Sequence, residues 1–467
     1  MFHYIMFSSI IKESEDNYLI IDAYYSGKWE SDKKSTIIYL ELLDWLRKHK
    51  TRKIEKARES VYSICKEKYG YAEDETKAVL DFVKERKLPL TGIFAADRIL
   101  SQIDSYEDNE ILTNPTPIIE VTNKCNYKCR WCYVPNREEE EIMSLECINE
   151  NLVQPFIKRG LISWCLSGGE PSMQLDRTLA VAKMIKDSSV KELGVVPEIY
   201  LLTNGFHLKE NAKQYKEAGI TSIQIALTSS DPAIEKYLRR APEGVDSFQC
   251  AVDGIREAKK EGFVTEVNMV LQPKDENNVT NINTMIGLFD IMNDIGIDVM
   301  RIIPAVPTGQ AKVNNITFSE ADYQLIAENM KKIRKKELKN KKMIVDCPVD
   351  QPIGENNPVY CRAGTLFLYI NYSGHVFPCN NLQANEAECW NTTIKETPID
   401  TIWTKSPLLN DFRNCRTASL AEGCKGCQKR SECVGECRAL CFAKYGTFDL
   451  KKKPEHCYRD DLDEKAN

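Results

Sequence analysis

No stretch of the 467 residues is apolar for anything near the roughly 18 residues that a membrane-spanning helix needs. A helical membrane protein is therefore excluded. Nor does charge of one sign dominate: 63 Lys and Arg face 69 Asp and Glu, a formal net charge of −6. That balance gives the chain no global pull toward nucleic acid or an anionic membrane. The opening MFHYIMFSSII is apolar, but no Lys or Arg precedes it and no small-residue cleavage site follows. It reads as a strand rather than a signal peptide, and a cytoplasmic protein is expected. Internal repeats and low-complexity tracts are missing too. What remains is a 42% hydrophobic content, normal for a packed core, over a length that suggests two or three domains.

Cysteine breaks this ordinary pattern. There are 18, and eleven of them, Cys347 to Cys457, fall in the last quarter of the sequence. In a reducing compartment clustered cysteines more often bind metal than form disulfides. The crowding marks a separate cysteine-rich region.

Residues 1–95 read as a small α+β domain. The opening apolar run and YLIIDAYY (18–25) have strand character, and IIYLELLDWLRK (37–48) begins a helical stretch. Ile54, Ala57, Val61 and Ile64 recur at helical spacing, as do Ala78, Val79, Phe82 and Val83. Strands followed by three helices suggest a winged-helix-like module. Its basic segment RKHKTRKIEKAR (47–58) has two readings, a solvated helix face or a site for an acidic peptide. From 112 to 312 strands alternate with helices. The expected strands are PIIEVTN (117–123), ISWCLSG (162–168), PEIYLLTNG (197–205), SIQIALT (222–228), VTEVNMVLQ (264–272) and VMRIIPAV (299–306). Six such units predict an α/β fold, a partial (β/α)6 TIM-like barrel with a parallel sheet. Residues 313–345, with the charge run KKIRKKELKNKK (331–342), are expected to be an exposed helix end and linker. Residues 346–467 form the cysteine-rich region.

The unusual loops all follow predicted strands. The first strand runs into Cys125, Cys129 and Cys132, the second into SGGEPS (167–172), the third into TNG (203–205) and the fourth into TSSDP (228–232). Reactive groups of a β/α barrel gather at that end. Three thiolates on a short loop can hold three irons of a cubane cluster and leave the fourth iron open. A closed zinc site needs four ligands and a catalytic one usually adds histidine or carboxylate, and no histidine stands beside these cysteines and no fourth cysteine follows closely. An open iron takes a chelating ligand. Gly168 and Gly169 allow close backbone approach, and Glu170 can accept from an ammonium group.

Cys125-x3-Cys129-x2-Cys132, with Asn126 after the first cysteine and Tyr133 after the last, resembles the signature of radical S-adenosylmethionine enzymes. The resemblance implies a [4Fe-4S] cluster on the three cysteines, its fourth iron chelated by S-adenosylmethionine. It implies that Gly168, Gly169 and Glu170 hold the methionine amine, and that Thr228, Ser229 and Asp231 approach the cofactor. Thr-Ser-Ser stands here where relatives often have Ser-Leu-Asp. Arg239 or Arg240 resembles the arginine near the methionine carboxylate, and Asn268 and PTGQA (307–311) also resemble the pattern.

In the tail, Cys424-x2-Cys427 and Cys433-x3-Cys437 suit a zinc ribbon or an iron-sulfur site equally well by spacing alone. The whole set is similar to the seven-cysteine SPASM extension, which carries two auxiliary [4Fe-4S] clusters. The resemblance implies Cys361, Cys379 and Cys437 on the first and Cys424, Cys427, Cys433 and Cys457 on the second, making three clusters in all. Cys347, Cys415 and Cys441 are surplus, and one of them could complete the first cluster. Cys65, Cys147, Cys165, Cys250 and Cys389 are expected to be ordinary buried thiols.

The resemblance extends to peptide maturases, in which an N-terminal winged-helix-like element binds the leader of a ribosomally made precursor as an added strand. The implied activity abstracts a hydrogen from such a precursor and joins a cysteine sulfur to carbon, as sactipeptide and ranthipeptide synthases do. Carbon-carbon crosslinking and epimerisation on the same scaffold are the alternatives. The implied partners are the precursor peptide and a low-potential electron donor, flavodoxin or ferredoxin. No side chain is assigned as catalytic acid or base, because abstraction by an adenosyl radical requires none.

Overall fold

The computed structural model describes residues 8–22, 28–85, 96–108, 110–134, 142–349, 363–385, 392–414 and 439. Near the N-terminus, β1 (Ser8–Lys12), β2 (Asn17–Asp22) and β3 (Lys28–Asp32) form an antiparallel sheet in that order. Ile10, Tyr18 and Ile20 are buried with Ile38, Leu42 and Leu46 of α1 (Lys33–Lys48) in one apolar cluster. Asp32 caps α1 by accepting from the Ser35 amide at 2.6 Å. α1 is buried along most of its length, with α2 (Ile54–Tyr69), α3 (Glu73–Glu85) and α4 (Ala96–Ser101) packed on it. Strands precede helices as expected, with four helices among the described residues of this unit where three were expected. β3 was not expected, because KWESD offers one apolar residue where a strand signal needs alternation.

The basic segment is neutralised at its two ends. Arg47 pairs with Asp44 at 2.9 Å and Asp97 at 3.2 Å, Lys48 pairs with Asp44 at 2.6 Å, and Arg58 pairs with Asp81. Between them, residues 49–53 connect α1 to α2.

The second sheet has nine strands. β4 (Thr116–Glu120), β5 (Ser163–Ser167), β6 (Glu198–Thr203), β7 (Ser222–Ala226), β8 (Val264–Leu271) and β9 (Val299–Pro304) are the six expected strands. They lie side by side in chain order, all parallel. β10 (Ile344–Asp346) adds to β9, β11 (Phe367–Ile370) adds to β4, and β12 (Val376–Phe377) pairs antiparallel with β11. The sheet therefore continues past the expected boundaries at 312 and 346. Two to four residues of strand carry too little periodicity to be read from sequence. The charge run is tied down as well: Lys336 pairs with Asp290 at 2.8 Å and Lys339 with Asp294 at 2.6 Å.

Alternate residues set the two faces of the sheet. Ile199, Leu201, Ile223, Ile225, Val267, Met269, Met300 and Ile302 are buried in the main apolar core. The opposite parity carries polar side chains among apolar ones such as Leu202 and Val270. Gln224 donates to Glu266, and Arg301 lies 3.5 Å from Glu266 and 3.3 Å from Asp346. Cys347 is buried in the main core, and Cys379 is half-buried against an apolar cluster that includes Tyr369 and Phe377. Cys65 and Cys165 are buried as expected, whereas Cys147 and Cys250 are only half-buried. Cys361, Cys389, Cys415, Cys424, Cys427, Cys433, Cys437, Cys441 and Cys457 lie outside the described residues. No described helix is long and apolar enough to cross a membrane.

Candidate functional site

Where β4 and β5 end, their loops are zipped together by backbone. The Val121 amide donates to Ser167 O at 2.9 Å, Gly169 to Thr122 O at 2.8 Å, and Glu170 to Lys124 O at 2.8 Å. This approach explains both glycines. A Cβ on Gly168 would stand 2.7 Å from Thr122 O, and one on Gly169 would meet Asn123 O at 2.5 Å and Lys124 O still closer. The Glu170 carboxylate is fully buried. It accepts from the Ser172 amide at 3.0 Å, the Asn204 amide at 2.7 Å, and the Thr203 hydroxyl at 2.9 and 3.0 Å. The acceptor expected to face an ammonium group is thus engaged by the chain, and it fixes the GGE turn against the end of β6. The sequence marked TNG (203–205) as unusual without a role; Thr203 and Asn204 are the partners of that carboxylate.

The cysteine loop is held from three sides. The Tyr127 amide donates to Cys125 Sγ at 3.4 Å, orienting that sulfur. The C-terminal end of the helix Pro232–Arg239 accepts loop amides, Arg130 N to Leu238 O at 3.0 Å and Lys128 N to Arg240 O at 3.4 Å. These carbonyls are the orphan acceptors of a helix end. Opposite, the Gln310 amide donates to Cys132 O at 2.7 Å, and the Asn314 amide group donates to Arg130 O at 2.9 Å. Gly309, at φ +52, leaves no room for a Cβ, which would meet Cys132 O at 2.5 Å. PTGQA (307–311) therefore closes on the end of the cysteine loop. The Arg130 side chain is buried, paired with Asp275 and Glu276 at 3.2 Å and stacked on Tyr237. Burial would raise the Asp275 carboxyl, but Tyr237, the Val279 and Asn277 amides and Arg130 outweigh it and hold it below the usual range.

The fourth-strand residues separate into two groups. Thr228 is buried and donates from its amide (2.9 Å) and its hydroxyl (2.6 Å) to Glu235. Ser229 is buried and accepts from the Asp231 amide at 3.0 Å. Asp231 is exposed and caps the helix Pro232–Arg239 by accepting from Ala233 and Ile234. The two arginines also divide. Arg239 is buried against the cysteine loop, while Arg240 is exposed in a left-handed turn, 3.5 Å from Asn314. Asn268 stands on β8 with a buried Oδ1 that has no hydrogen-bond partner. Asn126 accepts from Asn204 at 2.7 Å and leaves its own Nδ2 buried and without one.

These features fit the cluster and chelating ligand that the sequence implies. Among the described residues no three His, Cys, Asp or Glu side chains gather on a single ion position, so the loop has to be judged on its donors. The loop carries three cysteine sulfurs, and that of Cys125 receives a backbone amide. Burial pushes the Cys129 thiol up and the Cys132 thiol up to about 12, so a positive iron centre would be what holds them as thiolates. The free amide atoms of Asn126 and Asn268 supply a donor and an acceptor for a polar ligand beside it.

Comparison with known proteins agrees. Residues 119–282 match the radical SAM superfamily and residues 361–428 an iron-sulfur cluster-binding domain, SPASM. SuiB of Streptococcus suis bound to S-adenosylmethionine superposes with a TM-score of 0.63 at 15% identity, over 96% of this chain and 98% of that one. Native anSMEcpe with bound AdoMet gives 0.56 at 16% identity, over 74% and 94%. Among curated sequences, a probable GTP 3′,8-cyclase of Sulfolobus acidocaldarius is 28% identical over 56% of this chain and 79% of its own. An AdoMet-dependent heme synthase of Methanosarcina barkeri is 24% identical over 74% and 98%. The cysteine loop, the glycine turn and the parallel sheet all lie in or beside the matched span, and the chain carries a radical SAM domain followed by a SPASM iron-sulfur domain.

Proposed function

We propose that the protein is a peptide maturase that forms a thioether, joining a cysteine sulfur of a ribosomally made precursor to carbon. The observation that carries this reading is the edge strand β3. The opposite edge, β1, is covered: Leu112 N donates to Ile10 O at 2.8 Å, and Lys12 N donates to Glu110 O at 3.0 Å. β3 ends the order β1-β2-β3 among the described residues, and Lys34 just beyond it pairs with Glu75 of α3 at 2.8 Å. A strand edge beside a helix is a site for β-augmentation by an extended peptide. SuiB, similar over nearly the whole chain, has been crystallised with a precursor peptide, SuiA, and anSMEcpe with the peptide Cp18Cys.

In this reading Cys125, Cys129 and Cys132 hold a [4Fe-4S] cluster, which when bound supplies the electron that cleaves S-adenosylmethionine to a hydrogen-abstracting radical. Gly168 and Gly169 present backbone to the methionine end, Glu170 and Thr203 keep that turn rigid, and Asn126 and Asn268 address its polar groups. Cys361, Cys379 and Cys437 would hold one auxiliary cluster, and Cys424, Cys427, Cys433 and Cys457 the other. Each crosslink takes two hydrogens from the peptide, one as an atom and one as a proton with an electron, so an acceptor near the product is required. A flavodoxin or ferredoxin would supply the reducing electron.

The test is anaerobic incubation of the reduced, reconstituted enzyme with S-adenosylmethionine and short cysteine-containing peptides found in neighbouring reading frames. A loss of two hydrogens per crosslink, with fragmentation placing sulfur on carbon, is expected. A carbon-carbon link or an unchanged mass with inverted stereochemistry would replace the thioether by crosslinking or epimerisation. An unmodified peptide would sink the maturase reading.

A further inference from the structure

Arg239 lies beneath the cysteine loop with almost no exposure, and Glu235, one turn earlier on the same helix, has none. The guanidinium is clamped: Nη1 donates to Ala226 O of β7 at 2.6 Å, and Cζ stands 5.1 Å over the Tyr127 ring. On one side it faces the cysteine loop: the Lys128 and Arg130 amides, flanking Cys129, donate to Arg240 O and Leu238 O, flanking Arg239. On the other, Glu235 Oε1 is 3.7 Å away and accepts no hydrogen bond, while Oε2 is occupied by both Thr228 donors. Arg239 Nε is buried without a partner. A buried donor left free beneath the cysteine loop is costly unless an anionic group there takes it up.

We infer that Arg239 and Glu235 are an opposed charge pair that sets the reduction potential of the cluster on Cys125, Cys129 and Cys132. Arg239 raises that potential and Glu235 lowers it. The inference rests on the cluster assignment above but not on the identity of the substrate. Reduction places one extra negative charge on the cluster. A fixed cation beneath the loop that carries the ligand sulfurs stabilises that charge, and a fixed anion one helical turn away opposes it. Both groups are out of water, so neither effect is screened as it would be at the surface. The pair acts through its field and is a tuning device rather than a catalytic one.

The test is a mediated redox titration of the reconstituted full-length protein, followed by electron paramagnetic resonance of the reduced cluster. Arg239→Gln should shift the one-electron equilibrium toward the oxidised form on the order of tenfold, about 59 mV. Glu235→Gln should shift it by a similar factor the other way. Exposed Lys236 on the same helix is the control, and Lys236→Gln should leave the potential in place. A merely structural role would lower iron content in both core variants without opposite shifts. If Arg239→Gln takes up too little iron, Glu235→Gln, which keeps the guanidinium, carries the sign. No shift, or a downward shift, in that variant overturns the inference. A wild-type protein giving no reduced-cluster signal overturns the cluster assignment itself, and the inference with it.

Discussion

Glu170 and Glu198 stand on neighbouring parts of one sheet, the first just past the end of β5 and the second at the start of β6. Glu170 is fully buried and meets two backbone amides and a hydroxyl. Glu198 has a buried Oε2 without a partner, and burial pushes its carboxyl up to about 7. The difference follows from where each lies. At the carboxyl ends of the strands the chain turns through glycine-rich loops whose amides point at the mouth, so charge is met by donors. At the amino end of β6 no donor reaches Glu198 Oε2, and that carboxyl is desolvated, whereas Asp298 just before β9 is met by the Thr265 amide and hydroxyl and by Lys259. Glu170 belongs to the mouth, where the chemistry of a barrel sits, and Glu198 to a part of the floor that supplies it no donor.

The severest way to break this arrangement is to fill the mouth. Gly169→Ala places a methyl group against two carbonyl oxygens, and the loops cannot separate without losing their zipper. Iron content after anaerobic reconstitution should fall on the order of tenfold. Gly70→Ala is the contrast: Gly70 has φ +69 at a helix end in open space, so strain of about 1 kcal/mol is the whole cost, and iron content should not change.

The floor gives the next largest effect, with opposite sign. The native Glu198 carboxyl keeps its proton to about pH 7, whereas in the unfolded chain it ionises near the ordinary value of about 4.3. Between those limits the native state binds more protons, so stability falls as pH rises and then levels off above 7. Glu198→Gln removes this loss. Its advantage should be absent near pH 4 and grow to about 4 kcal/mol above pH 7, read from denaturant unfolding at a series of pH values. An advantage independent of pH would show that Glu198 is not desolvated as described.

Thr203→Val tests the mouth more gently. It keeps the shape but removes the hydroxyl that donates to both Glu170 oxygens and accepts from the Gly205 amide. A loss of about 2 kcal/mol is expected, together with weaker S-adenosylmethionine binding by calorimetry. Unchanged affinity would separate the turn's rigidity from its ligand.

The six central strands were legible because each is a run rich in β-branched and apolar residues, three of them ending at Asn123, Gly168 and Gly205, and the cysteine spacing marked the mouth. β3, β10 and β12 were not, since KWESD, IVD and VF carry no usable period. The roles of individual polar residues were the least legible. Nothing local in the sequence distinguishes Arg239 from Arg240, yet one is buried beside Cys129 and the other exposed. Burial is decided by which face of the helix meets β7 and the loop. Thr203 and Glu170 are 33 residues apart, and only the pairing of β5 with β6 brings them together. Family resemblance located the loops correctly but could not say which side chains face a ligand and which hold the loop.

Asp231 is where that distinction can be tested with the smallest perturbation. The resemblance brings it toward the cofactor, but its carboxylate is exposed and turned back to the Ala233 and Ile234 amides at 2.8 and 3.3 Å. As a helix cap it is worth about 1 kcal/mol, and serine in its place should keep most of that. Asp231→Ala should therefore lose about 1 kcal/mol in urea unfolding, Asp231→Ser should recover it, and neither should change S-adenosylmethionine affinity beyond about twofold, less than the tenfold that 1.4 kcal/mol represents. Comparable affinity loss in both variants would mean the carboxylate turns from the helix to the ligand on binding. Capping would then describe only its resting position.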